Sequence, residues 1–251
     1  MTISEETFIE KDISFRSDEF VLQGRLHLPA VHQPPVVIGS HGLYTSKDSP
    51  KQIALARACN RLGMAYFRFD HRGCGSSQGE FEYVTSLASR CRDLKNAVAA
   101  LRGNEQTGPR IGLFGSSMGG TVCLATANEL EAGAIVTFAA PVCSCLHGDC
   151  RTNVSGSQTE GIFFDSQKQA FDITAKLTQI KKILIIHGDA DDTVALSHAR
   201  EIYRLAGEPK NLMIQHTGDH RMSNVEHQRE FLDMASNWFK SGLLDEFTIN
   251  P

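Results

Sequence analysis

Ile111-Gly112-Leu113-Phe114-Gly115-Ser116-Ser117-Met118-Gly119-Gly120 sets an apolar run directly before a serine flanked by glycines, and a stretch of small residues follows. The pattern predicts a strand at 111–114, a sharp turn at Ser117 and a helix beyond it. A chain that turns this abruptly crowds its central residue, so neighbours without a Cβ relieve the overlap and the serine hydroxyl projects into open space. The same turn brings a helix N-terminus beside that hydroxyl, where the backbone N–H of Met118 faces any negative charge developing on a bound carbonyl. Gly-x-Ser-x-Gly alone recurs by chance, and its plain alternative is a glycine-rich turn with an ordinary serine.

A serine hydroxyl is a poor nucleophile at neutral pH; it needs a histidine to take its proton and a carboxylate to orient that histidine. Both residue types follow in the chain. The apolar run Lys182-Ile183-Leu184-Ile185-Ile186 predicts a strand, and it opens into His187-Gly188-Asp189-Ala190-Asp191-Asp192-Thr193-Val194. After a further helical stretch and a strand at Leu212-Met213-Ile214 comes Thr217-Gly218-Asp219-His220, just before Arg221. His216 is expected to belong still to that strand, and His227 to lie inside a helix with Phe231, Leu232, Met234 and Trp238; both are read as structural.

These motifs together resemble the α/β-hydrolase superfamily, in its branch of small serine esterases, acylglycerol lipases and serine-aminopeptidase-like proteins. The likeness spans nearly the whole chain. It also rests on Ser40-His41-Gly42-Leu43 after the strand Val36-Val37-Ile38, and on Asp70-His71-Arg72-Gly73-Cys74-Gly75-Ser76-Ser77 after the strand 65–69. The resemblance implies an α/β fold with a mostly parallel sheet of about eight strands, helices on both faces and a short cap insertion near 141–181. It implies a triad of Ser117, Asp191 and His220, with Asp191 chosen because the family's His-Gly-x-x-Asp-x-x-Val pattern fits His187-Gly188, Asp191 and Val194. Asp189 and Asp192 are then turn residues. The N–H groups of Leu43 and Met118 become the oxyanion hole, His41 a loop-bonding histidine at the pocket, and the Asp70–Ser76 turn a scaffold tied down by its Asp and Arg.

Residues 1–251 are expected to form one such domain: 41% hydrophobic and 22% charged content suits a single well-buried α/β core. The net charge of −4, with 25 basic against 29 acidic residues and no basic concentration, points away from nucleic acid and toward a small-molecule ester. No stretch has the length of a membrane span. A polar, acidic start without a basic leader, together with seven scattered cysteines, leads to the expectation of a cytoplasmic location.

Within the insertion, Leu146, Ile162, Phe163, Phe164 and Phe171 are candidates for the substrate pocket, and its brevity favours small or medium acyl groups. Cys143, Cys145, His147 and Cys150 crowd together, but spacings of this kind suit a zinc knuckle poorly, so no metal is expected. No organic cofactor is expected either. The reading is a carboxylic-ester hydrolase acting through an acyl-enzyme. The alternatives are a thioesterase or aminopeptidase-like amidase with the same triad, and a non-catalytic binding protein on the same fold.

Overall fold

The computed structural model describes residues 8–144 and 170–245. In chain order these form β1 (Ile9–Ser17), β2 (Phe20–Leu28), β3 (Val36–Ser40), α1 (Pro50–Arg61), β4 (Ala65–Phe69), the single turn α2 (Phe81–Val84), α3 (Leu87–Arg102), β5 (Ile111–Ser116), α4 (Met118–Thr126) and β6 (Ala134–Phe138). A 3-10 helix at Thr174–Gln179 then leads to β7 (Ile183–Gly188), α5 (Leu196–Leu205), β8 (Lys210–Gln215) and α6 (Val225–Leu243).

The eight strands make one sheet in the order β1-β2-β4-β3-β5-β6-β7-β8. β1 and β2 form an antiparallel hairpin at one edge, β2 meets β4 antiparallel, and every pairing from β4 through β3 to β8 is parallel. The turn between β1 and β2 lies at Asp18 and Glu19.

Parallel strands joined by helices must bury both faces, so their side chains alternate between two cores. Val36 and Ile38 of β3 face one core while Val37 faces the other; Ile183 and Ile185 of β7 split in the same way from Leu184 and Ile186. On the first face lie α3, α4 and α5 through Leu94, Val98, Val122 and Ile202. On the second lie α1 and α6 through Leu55, Cys59, Phe231 and Phe239. Helices thus cover both faces, as the resemblance implies.

Local signals explain the element ends. Gly63 takes φ +80° just past α1, a left-handed turn that a glycine makes without a Cβ penalty. Ser86 caps α3 in a reciprocal box: its hydroxyl accepts from Ser89 N, while the Ser89 hydroxyl accepts from Ser86 N. His216 departs from its expected place. β8 closes at Gln215, so His216 stands in the turn, exposed, where its Nδ1 lies 2.9 Å from Asp189 Oδ2. The strand ends there because Thr217, at φ +57°, turns the chain.

Most of the expected cap insertion, including Cys145, Leu146, His147, Cys150, Ile162, Phe163 and Phe164, lies outside the described residues. Its two ends are side by side: Ser144 N donates to Phe171 O at 2.9 Å and Ile173 N to Val142 O at 2.9 Å. Phe171 packs against the α3, α4 and α5 core, away from the cavity described below. An apolar ring at the base of the insertion gains more from closing onto that core than from facing solvent.

Candidate active site

Ser117 joins β5 to α4 at φ 54° and ψ −127°, a backbone region that residues with a Cβ rarely occupy. Its amide donates to Phe138 O at 2.8 Å, tying the turn to the end of β6. The two glycines of the motif are required by close approach. A Cβ on Gly115 would overlap the carbonyl of Gly119, and one on Gly119 would overlap the Ser40 oxygen and stand 2.7 Å from that of His41. The strained turn therefore lets α4 press directly onto the loop after β3, with Met118 as the first helical residue, whose N–H has no partner within the helix.

The loop after β3 carries His41, Gly42 and Leu43 past Ser117; a Cβ on Gly42 would sit 3.6 Å from Ser117 Cβ. Its conformation is held from behind by Arg90 of α3, a guanidinium with no exposed surface. Arg90 donates to the carbonyls of His41 at 3.1 Å, Gly42 at 3.4 Å and Leu43 at 3.4 Å. Three successive carbonyls drawn toward one cation fix the orientation of the peptide planes between them, and so the direction of the Leu43 neighbourhood toward Ser117.

His41 has no spare ring nitrogen. Its Nδ1 lies 2.6 Å from Gly42 O, and its Nε2 accepts from His71 N at 3.1 Å. Burial, reinforced by the Arg90 charge, keeps its pKa well below the usual imidazole value, so it stays neutral. His41 thus bonds its loop and borders the cavity.

The loop after β7 brings the carboxylates, and each has a separate geometry. Asp191, with no exposed side-chain surface, accepts from Thr193 N at 2.9 Å and Val194 N at 2.8 Å through Oδ1, and its Oδ2 lies 2.8 Å from His220 Nδ1. Burial works to raise the Asp191 pKa, but the contact with His220 and the two backbone amides outweigh it and hold the carboxyl ionised. His187 backs the same carboxylate, with Nε2 3.5 Å from Oδ2 and 2.8 Å from Val194 O. Asp189 instead faces His216 and accepts from Thr217 N at 2.6 Å, clasping the two late loops together. Asp192 accepts from the neighbouring Thr193 hydroxyl at 3.2 Å. His227 lies in α6, away from these groups.

Ser117, His220, Leu43, Met118 and His41 all border one cavity of about 620 Å³, at the carboxyl ends of the parallel strands. That is the end of such a sheet where loops converge. The structure therefore brings these five together and pairs His220 with Asp191. The pocket candidates Leu146, Ile162, Phe163 and Phe164 lie outside the described residues. Cys143 is buried, and no group of three or more metal-ligating side chains occurs among the described residues.

Several residues that shape the site escape a motif reading. Asp93, fully buried, accepts from Arg72 N at 3.0 Å, Nε at 2.9 Å and Nη2 at 2.7 Å, and anchors the turn after β4. Asp70, already expected from its motif to tie down that turn, accepts from Lys47 N at 2.7 Å, Lys47 Nζ at 2.7 Å and Ser76 N at 2.9 Å. Lys51 of α1 also borders the cavity. A signal for two of these was present: Arg90 and Asp93 share the α3 face of Leu94, Ala97 and Leu101, so two charges interrupt an otherwise apolar stripe.

The family described as serine aminopeptidase, S33 matches residues 32–149 of the chain. The chain is 30% identical over 156 residues to YfhR of Escherichia coli O157:H7, an uncharacterised protein, covering 61% of this chain and 52% of that one. It is 36% identical over 86 residues to the mitochondrial palmitoyl-protein thioesterase ABHD10 of Bos taurus, covering 34% of this chain and 26% of that one. The chain spans about half the length of YfhR and about a quarter of that of ABHD10. Among solved structures, the Pyrococcus furiosus esterase Pf2001 superposes with a TM-score of 0.78 at 21% identity, over 97% of this chain and 96% of that one. No helix among the described residues is long and apolar enough to cross a membrane.

Proposed function

This chain is an α/β-hydrolase in fold, and from that premise we propose that it is a serine hydrolase cleaving carboxylic esters of small or medium acyl size. The observation that carries the reading is the 2.8 Å contact between His220 Nδ1 and a buried, ionised Asp191, on the rim of the cavity that the strained Ser117 also borders. A carboxylate at Nδ1 holds the proton there and leaves Nε2 free to accept one.

In this reading His220 takes the hydroxyl proton as Ser117 attacks the ester carbonyl. Asp191 stabilises the imidazolium, and the amides of Leu43 and Met118 receive the oxyanion. Collapse of the tetrahedral intermediate expels the alcohol, which takes the proton from His220. Water activated by the same imidazole then releases the acid from the acyl-enzyme.

The test is Ser117→Ala assayed on p-nitrophenyl esters of increasing chain length, beside labelling by a fluorophosphonate. Turnover is expected to fall by at least about four orders of magnitude, with loss of labelling. A folded wild-type protein that neither labels at Ser117 nor turns over any ester would favour a binding protein on this fold. The thioesterase alternative draws on the similarity to ABHD10. Acyl-CoA thioesters in the same panel separate the two, since only the leaving group differs; aminoacyl anilides address an amidase.

A further inference from the structure

Lys51 stands where several elementary rules disfavour it. It is the second residue of α1, where the helix dipole repels a cation, and it is partly buried. Among the described residues it takes part in no ion pair. Its ammonium lies 4.3 Å from the centre of the Phe138 ring and donates to Arg221 O at 3.2 Å. These two contacts place it between the parts of the site: Phe138 holds the amide of Ser117, and Arg221 follows His220.

The nearest carboxylates are already engaged. Asp191 faces His220, Thr193 and Val194, and Asp219 accepts from Ser223 N at 2.8 Å. Burial lowers the Lys51 pKa to about 8, with Asp219 and Asp191 acting against that shift, so the amine is still mainly an ammonium at neutral pH. Arg221 borders the same cavity, exposed, and its guanidinium forms no ion pair among the described residues. Among the described residues, the one acidic side chain on this wall, Asp48, is taken up by Arg68 and Lys47. The cavity thus presents two cations whose counter-charge the described chain does not supply.

We propose that the substrate supplies it: the site takes an ester bearing a free carboxylate, and Lys51, with Arg221, is the residue that selects for it. This rests on the serine-hydrolase reading of the same cavity. A carboxylate seated on the ammonium would form a charge-assisted hydrogen bond in a partly desolvated place, where such bonds are strongest. An uncharged ester of equal length leaves the ammonium as it stands.

The experiment compares mono-p-nitrophenyl glutarate with p-nitrophenyl valerate on the wild-type protein and on Lys51→Met. A butyrate ester of 4-hydroxybenzoate, set against phenyl butyrate, tests the alcohol side. The wild-type protein is expected to favour the charged member of at least one pair by about tenfold or more in kcat/KM, and Lys51→Met to bring that ratio close to one through KM. Equal rates within both pairs would overturn the proposal, as would a Lys51→Met variant that slows charged and neutral esters alike. A second measurement needs no variant: free glutarate is expected to slow fluorophosphonate labelling of wild-type Ser117, and glutaramide is not. Equal protection by the two overturns the proposal. Absence of labelling altogether overturns the hydrolase reading itself, and is seen before any ester is compared.

Discussion

Replacing Asp191 with asparagine exchanges one oxygen for an amide nitrogen and leaves the volume unchanged, so its effect follows from hydrogen-bond directions. Oδ1 accepts the amides of Thr193 and Val194, while Oδ2 faces His220 Nδ1. Two backbone donors require the asparagine oxygen at the Oδ1 place, which turns the NH2 toward the imidazole. The ring then accepts at Nδ1, carries its proton on Nε2, and has no lone pair left for the Ser117 hydroxyl. Recovering the working tautomer means flipping the amide against both donors. The loss at the buried Val194 amide is about 1–3 kcal/mol, and at the Thr193 amide, nearer solvent, about 1 kcal/mol. At 1.36 kcal/mol per decade, a flip of about 2–4 kcal/mol costs about thirtyfold to about a thousandfold. Loss of the negative charge beside the imidazolium adds to this, and kcat/KM is expected to fall by about 10³–10⁴, approaching the effect of the same exchange in a dissected protease triad. The assay is p-nitrophenyl butyrate hydrolysis and the rate of fluorophosphonate labelling, with thermal melts as a check on folding. Asp189→Asn and Asp192→Asn, which alter solvent-facing contacts, are expected to change the rate by less than about threefold. Asp191→Asn retaining more than a tenth of the activity, or a larger loss at Asp189 or Asp192, would refute the reasoning.

Arg90→Met removes the donor to three loop carbonyls. It is expected to lower kcat by about tenfold to a hundredfold with little change in KM, since the loss of a whole oxyanion donor sets the upper bound of about 10²–10³; an unchanged kcat would show that the loop holds its own shape. Gly119→Ala forces a Cβ into the carbonyls of Ser40 and His41, and overpacking of this kind costs about 1–3 kcal/mol or more, read as a fall in Tm of at least about 3 °C. Acid is expected to destabilise the fold before the carboxylates titrate. Burial lowers His27, His71 and His198 to about 4, and His198 Nδ1 accepts from Val142 N, so protonation would set two donors against each other. Between about pH 6.5 and 4 the unfolded chain therefore binds more protons, and stability present above 6.5 is lost on acidification. Melts from pH 7 to 4.5 should show Tm falling throughout, and a flat profile would contradict the burial of these rings. Below about pH 4 the contribution of Asp93, whose carboxyl is held low against burial by His71 and Arg72, is lost as well.

Much of the fold is legible in the chain because its signals are local. Apolar runs at 36–38, 65–69, 111–114 and 183–186 all form strands, since each is short, apolar and followed by turn residues. The place of His216 is not legible, because an apolar run does not say which residue ends it; a left-handed turn at Thr217 ends the strand before it. Arg90 and Asp93 are not legible as buried groups because a charge on a helix is ordinarily solvated, and only the packing of α3 against the sheet makes both of them buried.

The order of the motifs, the glycines around Ser117 and the periodicity of the strands settle the class of fold from sequence alone, because they depend on sterics and on burial within a few residues. That Asp191, the aspartate the family pattern favours, meets His220, which carbonyls a buried arginine holds, and that Lys51 lies in the cavity without a paired carboxylate among the described residues were decided only in three dimensions. Those contacts join residues from about thirty to more than a hundred positions apart. At such separations the pairing is set by how the sheet brings loop ends together, and no short-range pattern in the chain encodes that distance.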